Sequence, residues 1–226
     1  MRTRTSLILL LVISAGALAS GLSGISNQEA SGGLKQALLQ GSSAAVSKLG
    51  VTNGFLGNPK VKIPLPGSLQ KSEKLLRMVG MGKQTDELVE AMNRAAEAAV
   101  PLAKPLLIDA VKKMSVQDAR GILTGGDDSV TRYFAKSSSS ALTAKFLPIV
   151  KRTTDKVGLA QQYNAYVGKA AHFGLVKEKD ANMESYVTQK TLDGLFYMIS
   201  EEERAIRQNP LGQASGLLKK VFGALR

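Results

Sequence analysis

The chain has 226 residues, a formal net charge of +12, no cysteine and a single histidine, His172. The absence of cysteine excludes disulfides and cysteine nucleophiles, and with only one histidine it also excludes zinc sites built from Cys and His. We therefore predict a fold stabilised by packing alone, and we assign no catalytic residue, no cofactor and no metal ligand.

The N-terminus has the composition of a secretory signal peptide. Arg2 and Arg4 form a positive n-region, residues 7–13 form an apolar run, and Ala17-Leu18-Ala19 offers the small residues that a signal peptidase accepts. The run is shorter than the about 20 residues of a transmembrane helix, and an uncleaved anchor is the alternative. We predict a signal peptide over residues 1–19, cleavage after Ala19 and export to the periplasm.

Basic residues are unevenly distributed along the chain. Loss of residues 1–19 would leave a net charge of about +10. Bases dominate residues 132–156 and the segment from Arg204 to the C-terminus. Such a field attracts anionic partners, and export favours an anionic lipid surface, a cell-wall polymer or an envelope protein over nucleic acid. The alternative is that the charge serves solubility alone.

The mature chain begins with a segment rich in Ser and Gly. Residues 20–33 predict a flexible lead, and residues 34–226 predict one helical domain. The first helix is predicted to end at Gly50.

Residues 58–66 have a different pattern, in which apolar and other side chains alternate. The apolar positions are Val61, Ile63 and Leu65. Alternation predicts an extended segment with one apolar side, but its prolines disfavour pairing in a sheet. We expect a strap, residues 58–66, that lies across helices.

The next segment predicts two helices. The first covers residues 68–79 with Gly80 as its stop, and the second has Thr85 as its N-cap. The buried stripe of the second helix is predicted to be Leu88, Met92, Ala95, Ala96 and Ala99. The opposite face, predicted to be solvated, carries Asp86, Glu90, Asn93 and Glu97. Carboxylates on one face are also typical of acid/base or metal chemistry, which stays the alternative.

Prolines and caps then divide the chain into shorter helices. Pro101 and Pro105 are predicted to break the alanine-rich helix, because proline has no amide hydrogen. The following piece is predicted to run to about Met114. Ser115 and Asp118 match a capping box for a short helix that follows.

The Gly125-Gly126-Asp127-Asp128 turn predicts a helix stop followed by an aspartate cap, with cation binding as the alternative. The helix that follows is predicted to start at Ser129 and to be interrupted at Pro148. Gly158 and Gly174 separate two further helices.

The last patterned helix is predicted to open at Asn182 or Thr188 and to end at Asn209-Pro210. Neither a repeat nor a strand pair is evident. We predict an all-α, single multi-helix domain of seven to nine helices without substantial sheet.

Few residues suggest a site. The candidates for ligand binding are Asn93, Arg94, Glu97, Tyr133 and Lys145. His172 lies near a helix C-terminus, where an imidazolium is favourable, and we interpret it as structural. The chain contains no Gly-x-Ser-x-Gly nucleophile motif.

The C-terminal segment, residues 216–226, has apolar and basic residues on opposite sides of a predicted helix. This is the layout of a cationic interfacial helix. A terminal helix that docks on its own core has the same pattern, so that alternative stays open. The candidates for docking on a membrane or partner are Leu218, Lys219, Lys220 and Phe222.

Several motifs, in this order, resemble domain-of-unknown-function family 4197. They are Phe55-Leu56-Gly57-Asn58-Pro59, Val61-Lys62-Ile63-Pro64-Leu65-Pro66, Met92-Asn93-Arg94-Ala95-Ala96-Glu97, Ile122-Leu123-Thr124-Gly125-Gly126-Asp127-Asp128, Lys145-Phe146-Leu147-Pro148, Val157-Gly158-Leu159-Ala160 and Leu192-Asp193-Gly194-Leu195-Phe196. The resemblance covers roughly residues 34–223. It implies an exported bacterial protein, and it brings no activity or catalytic residue with it.

The leading hypothesis is a periplasmic helical binding module for an anionic or amphiphilic envelope component. It depends on the basic surface, the strap and the absence of a catalytic motif in the sequence. A scaffold or chaperone-like protein is one alternative. A carboxylate-based enzyme that uses Asn93, Arg94 and Glu97 is the other.

Overall fold

The structure is a computed structural model that describes residues 27–172 and 182–208. Within those residues the chain forms eight α-helices and one 3₁₀ turn, and it contains no strand. The helices are α1 (Asn27–Leu49), α2 (Gly67–Met78), α3 (Gly82–Ala99), α4 (Ala103–Lys113), α5 (Val116–Leu123), α6 (Ser129–Thr154), α7 (Gly158–His172) and α8 (Met183–Gln208). The predicted all-α class and helix number are confirmed. The signal peptide, Gly174, Asn209-Pro210 and the C-terminal segment lie outside the described residues.

The two longest helices, α6 and α8, pack most extensively on each other. Helix α3 lies on α6, and α1 lies on α8 and α4. The predicted stripe of α3 is fully buried, from Leu88 to Ala99. Because most of this stripe is alanine, α3 approaches its neighbours closely.

Helix α1 begins earlier than predicted. It starts at Asn27, so the predicted flexible lead is wrong for residues 27–33. Ala30, Ser31 and Leu34 are buried. Tertiary packing therefore outweighs the weak helix propensity of the glycines in this stretch.

The predicted extended strap is confirmed in part: residues 62–66 contain no helix or turn, whereas residues 59–61 form a turn in which the amides of Val61 and Lys62 donate to the Asn58 carbonyl at 3.1 and 2.8 Å. Val61, Ile63 and Leu65 are buried, whereas Lys62 and Pro64 are exposed. The buried residues face the helices, because successive side chains of an extended chain point to opposite sides.

A tight turn joins α2 to α3. The amide of Met81 donates to the Leu76 carbonyl at 2.8 Å, the amide of Gly80 donates to the Arg77 carbonyl at 3.2 Å, and Gly80 has φ +86°. This pair of bonds is a Schellman motif, in which glycine adopts the left-handed conformation. Gly80 is thus confirmed as the stop of α2.

Thr85 is not the N-cap of α3, which begins at Gly82. Thr85 is buried, and its hydroxyl donates to the Met81 carbonyl at 2.9 Å. The Schellman turn leads directly into α3, so the helix starts before the residue that resembled a cap.

The chain breaks at Pro101 and Pro105 partly as predicted. A 3₁₀ turn over Val100–Leu102 separates α3 from α4. Pro105 lies in the first turn of α4, where a missing amide hydrogen costs nothing.

The capping box is confirmed, because the Asp118 amide donates to the Ser115 hydroxyl at 3.0 Å and the Ser115 amide donates to the Asp118 carboxylate at 3.0 Å.

Pro148 does not interrupt its helix, since α6 continues to Thr154. Phe146 and Val150, on either side of the proline, are fully buried. Pro148 itself is exposed, as is Ala144, whose carbonyl loses its helical donor. The exposed carbonyl is open to solvent, and the packing of Phe146 and Val150 holds the helix together.

Asp128 occupies the N-cap position of α6, but its side chain makes no capping bond and pairs with Arg132 instead. The cap comes from α8: Glu203 accepts the amides of Val130 at 3.2 Å and Thr131 at 3.3 Å. A tertiary carboxylate therefore replaces the predicted local cap.

Helix α8 opens at the first of the two predicted positions. The Asn182 side chain accepts the Ser185 amide at 2.8 Å, as an N-cap does. Thr188 lies inside the helix.

Gly194 of α8 allows the strap to approach. A Cβ atom at this position would lie 2.6 Å from Phe55 Cε1 and 3.3 Å from Val61 Cβ.

We expect Gly194→Ala to destabilise the protein by about 1–3 kcal/mol through overpacking, measured by urea unfolding. The control is Gly121→Ala in α5, where nothing lies within 4 Å of the added Cβ. That variant should gain about 0.5–1 kcal/mol, and equal effects of the two would contradict the close approach.

Candidate functional site

Asn93 of α3 bonds to the backbone of the strap. Its Oδ1 accepts the Ile63 amide at 2.8 Å, and its Nδ2 donates to the Ile63 carbonyl at 2.9 Å. Nδ2 also donates to the Val89 carbonyl at 2.7 Å. The side-chain amide thus supplies the pair of bonds that a neighbouring strand would give to a strand residue.

Glu97, one turn further along α3, holds the chain just before the strap. Its Oε1 accepts the amides of Phe55 at 3.0 Å and Leu56 at 3.1 Å, and Oε2 accepts from Arg94 at 2.8 Å. Burial raises the pKa of this carboxyl, but the bond from Arg94, the two amide bonds and the Arg94 charge together outweigh it. The pKa of Glu97 therefore lies below its ordinary value.

The prediction that these residues lie on a solvated face is wrong for Asn93 and Glu97, which are both buried, and right for Asp86 and Glu90. The strap covers this side of α3 and needs partners for its backbone groups. A buried polar side chain with full bonding is stable in such a place.

The other predicted ligand-binding residues are dispersed. Tyr133 is half-buried on α6, where its hydroxyl donates to the Ala110 carbonyl at 2.8 Å and burial raises its pKa. Lys145 is exposed on α6 and does not line the clefts described below. The structure therefore brings Asn93, Arg94 and Glu97 together, but as a support for the strap.

Tyr186 of α8 completes this support. Its hydroxyl donates to the Pro64 carbonyl at 3.0 Å and also lies 3.4 Å from the Leu65 carbonyl. Sequence patterning did not identify Tyr186, because an aromatic residue on a helix gives no signal that distinguishes an anchor from ordinary core.

A cleft of about 620 Å³ lies on one side of the strap, between the strap and the α2–α3 pair. Leu56, Leu65 and Val89 give part of it an apolar lining, and most of the other residues that line it are charged. Arg77 lies at the charged rim of this cleft and pairs with Asp86 at 2.5 Å and with Glu73 at 3.0 Å. This volume is in the range of small-molecule sites.

A second cleft of about 250 Å³ lies on the other side of the strap, against α8. Its cations are Lys60, Lys62 and Lys190, its one acid is Asp193, and Tyr197 borders it. The Lys60 ammonium lies 2.8 Å from Glu201 and 5.9 Å from the centre of the Tyr197 ring. The bond to Glu201, followed by that to Tyr197, raises the pKa of Lys60.

Lys62 and Pro64 line both clefts, so the two volumes meet at the strap. Lys190 pairs with Asp193 at 3.4 Å, whereas Lys62 has no ion pair within the described residues. One site therefore combines a larger cleft that is partly apolar, a smaller cleft lined by lysines and an uncommitted ammonium between them.

Across residues 27–172 and 182–208, no three His, Cys, Asp or Glu side chains are grouped as ligands for a metal ion. The helices of the same residues are all too short or too polar to span a bilayer.

The fold and the site define an all-α domain built around an extended strap that helix side chains hold in place. The family model described as "Protein of unknown function (DUF4197)" matches residues 24–223, and the chain belongs to this family. No curated protein and no solved structure matches the chain.

We expect Glu97 to stabilise the folded protein only when its carboxyl group is ionised. A carboxyl whose pKa is lowered by folding stabilises the protein above the unfolded pKa, about 4.3, and loses that contribution as the pH falls through the folded value. We expect Glu97→Gln to lower the free energy of unfolding by about 2–3 kcal/mol at pH 7, with the loss shrinking below about pH 4.

The matched control is Glu90→Gln, which removes the other, exposed partner of Arg94. Glu90→Gln should change the free energy of unfolding by no more than about 0.5 kcal/mol at either pH 7 or pH 3. A Glu97→Gln penalty of equal size at pH 3 and pH 7 would show that the carboxylate charge does not hold Phe55 and Leu56 at the entrance to the strap.

Proposed function

We propose that this protein is an exported helical binding module of the cell envelope that holds an anionic amphiphile across the strap. The observation that carries the proposal is the pair of clefts that share Lys62 and Pro64. The larger cleft suits an apolar chain, and the smaller one suits an anionic head group.

The charges support this orientation of the ligand. At the larger cleft, the carboxylates of Glu73 and Asp86 pair with Arg77, and the third carboxylate, Glu90, pairs with Arg94 at 3.5 Å. At the smaller cleft Lys60 pairs with Glu201 and Lys190 pairs with Asp193, which leaves the Lys62 ammonium as the charge that favours an anion. An amphiphile would thus lie with its head group near Lys62 and its chain along Leu65.

The compartment is part of the proposal and is supported by the signal-peptide pattern of residues 1–19. A net charge of about +10 after loss of residues 1–19 agrees with an anionic ligand, because it draws anions toward the surface before they reach the site. The enzyme alternative receives no comparable support, since Asn93 and Glu97 are occupied by backbone groups.

Charge reversal at Lys62 tests the proposal. Binding of monomeric lysophosphatidylglycerol, a single-chain anionic amphiphile, is measured by calorimetry, with zwitterionic lysophosphatidylcholine as the comparison. We expect Lys62→Glu to weaken binding of the anionic lipid on the order of tenfold, equivalent to about 1.4 kcal/mol. The fold should be unaffected, because Lys62 is exposed.

Lys145→Glu is the matched control, since it makes the same charge change at an exposed position outside both clefts. It should leave the affinity within about twofold. Equal weakening by both variants would mean that net charge, and not the strap site, attracts the lipid. Absence of binding by the unmodified protein would refute the proposed function.

A further inference from the structure

The tip of the α2–α3 pair exposes an apolar surface. Leu75, Met78 and Val79 are 59%, 73% and 63% exposed. They are neighbours on the helix surface, because residues three and four positions apart lie side by side. A cluster of exposed apolar side chains, unlike single ones, indicates an interaction surface. We call these three residues the hairpin tip.

Helix α2 has an inner and an outer face. Leu69, Glu73 and Leu76 are half-buried on the inner face, and α2 packs mainly on α3. On the outer face Lys71 and Lys74 precede the hairpin tip by one turn, and both are exposed. The outer face therefore runs from basic to apolar toward the turn.

The hairpin tip is held in a defined shape. The Schellman bonds at Gly80 close the turn, and Arg77 joins the two helices by pairing with Asp86 of α3. The three apolar residues are therefore exposed on a hairpin whose turn and two helices are fixed by these bonds.

We propose that the hairpin tip inserts into the surface of an anionic lipid bilayer. Apolar residues next to lysines are the pattern of an interfacial element, in which the former enter the acyl boundary and the latter meet anionic head groups. Arg77 pairs with both Glu73 and Asp86 and offsets one of their two charges, and Glu87 lies 3.7 Å from Lys83, so the exposed Lys71 and Lys74 keep the balance of this end of the hairpin positive. A second copy of the chain is disfavoured as the occupant, because two copies without residues 1–19 would each carry about +10.

This inference uses residues outside the shared Lys62 region and extends the proposed function. Gln70, Glu73 and Arg77 of α2 line the larger cleft, so docking of the hairpin tip would place that cleft beside the bilayer. A single-chain lipid would then have a short path from the membrane to the strap.

Vesicle co-sedimentation tests the inference, using vesicles of phosphatidylglycerol with phosphatidylethanolamine and, for comparison, phosphatidylcholine alone. We expect the purified chain to bind the anionic vesicles, and Met78→Gln/Val79→Gln to weaken that binding at least tenfold. Val116→Gln is the control, because Val116 of α5 is an isolated valine with 55% exposure. It should change binding by less than twofold.

A second variant separates charge from apolar insertion. Lys71→Glu/Lys74→Glu should remove the preference for anionic over zwitterionic vesicles. Unchanged vesicle binding by both double variants would overturn the inference and assign any binding to another segment, such as residues 216–226. Failure of the unmodified chain to bind anionic vesicles would overturn it as well.

A label reports insertion directly. Because the chain contains no cysteine, Met78→Cys provides one site for an environment-sensitive fluorophore. Its emission should shift to the blue with anionic vesicles, whereas the same label at Val116→Cys should not shift, and equal behaviour of the two labels would overturn the inference. Binding of monomeric lysophosphatidylglycerol by Met78→Gln/Val79→Gln should stay unchanged, so failure of the docking surface is distinguishable from failure of the strap site.

Discussion

An extended segment without a sheet partner must find other partners for its backbone amides and carbonyls, and this constraint organises the molecule. Asn93 bonds to both polar groups of Ile63, Glu97 accepts the amides of Phe55 and Leu56, and Tyr186 bonds to the far end of the strap. Unbonded groups in this buried position would each cost about 1–3 kcal/mol. The strap is thus fixed by side chains from α3 and α8, and both clefts exist because it lies between them.

Glu203 of α8 binds backbone amides in the same way as Glu97, but its pKa is shifted in the opposite direction. Glu203 accepts two successive amides, at Val130 and Thr131, and pairs with Arg207 at 3.0 Å, as Glu97 does with its own amides and arginine. Burial raises the pKa of Glu203, and the bonds from Val130, Arg207 and Thr131 offset this only in part. The two carboxylates therefore respond to acid in opposite senses: folding disfavours protonation of Glu97, which would weaken its bonds to the turn before the strap, whereas folding favours protonation of Glu203.

Sequence patterning predicted the features that depend on local or periodic signals. The alanine stripe of α3, the alternation within the strap and the capping box at Ser115 all follow from spacing along one element. Sequence patterning failed where residues distant in the chain determine the burial of a side chain or the end of a helix. Charge at helical spacing predicts a solvated face, and only the strap makes Asn93 and Glu97 buried. Likewise, nothing near Ser129 shows that its helix is capped from α8, and a proline rule cannot foresee the packing that carries α6 past residue 148.

The proposed function depends on the position of the strap, which separates a partly apolar cleft from a smaller cleft lined by lysines and leaves Lys62 between them. Native-state hydrogen exchange tests the central claim most directly, because it reports on the amides of Phe55, Leu56 and Ile63 individually. If side chains of α3 hold this segment, the three amides should exchange nearly as slowly as those of the core helices. Exchange as fast as that of exposed, unbonded amides would contradict the account.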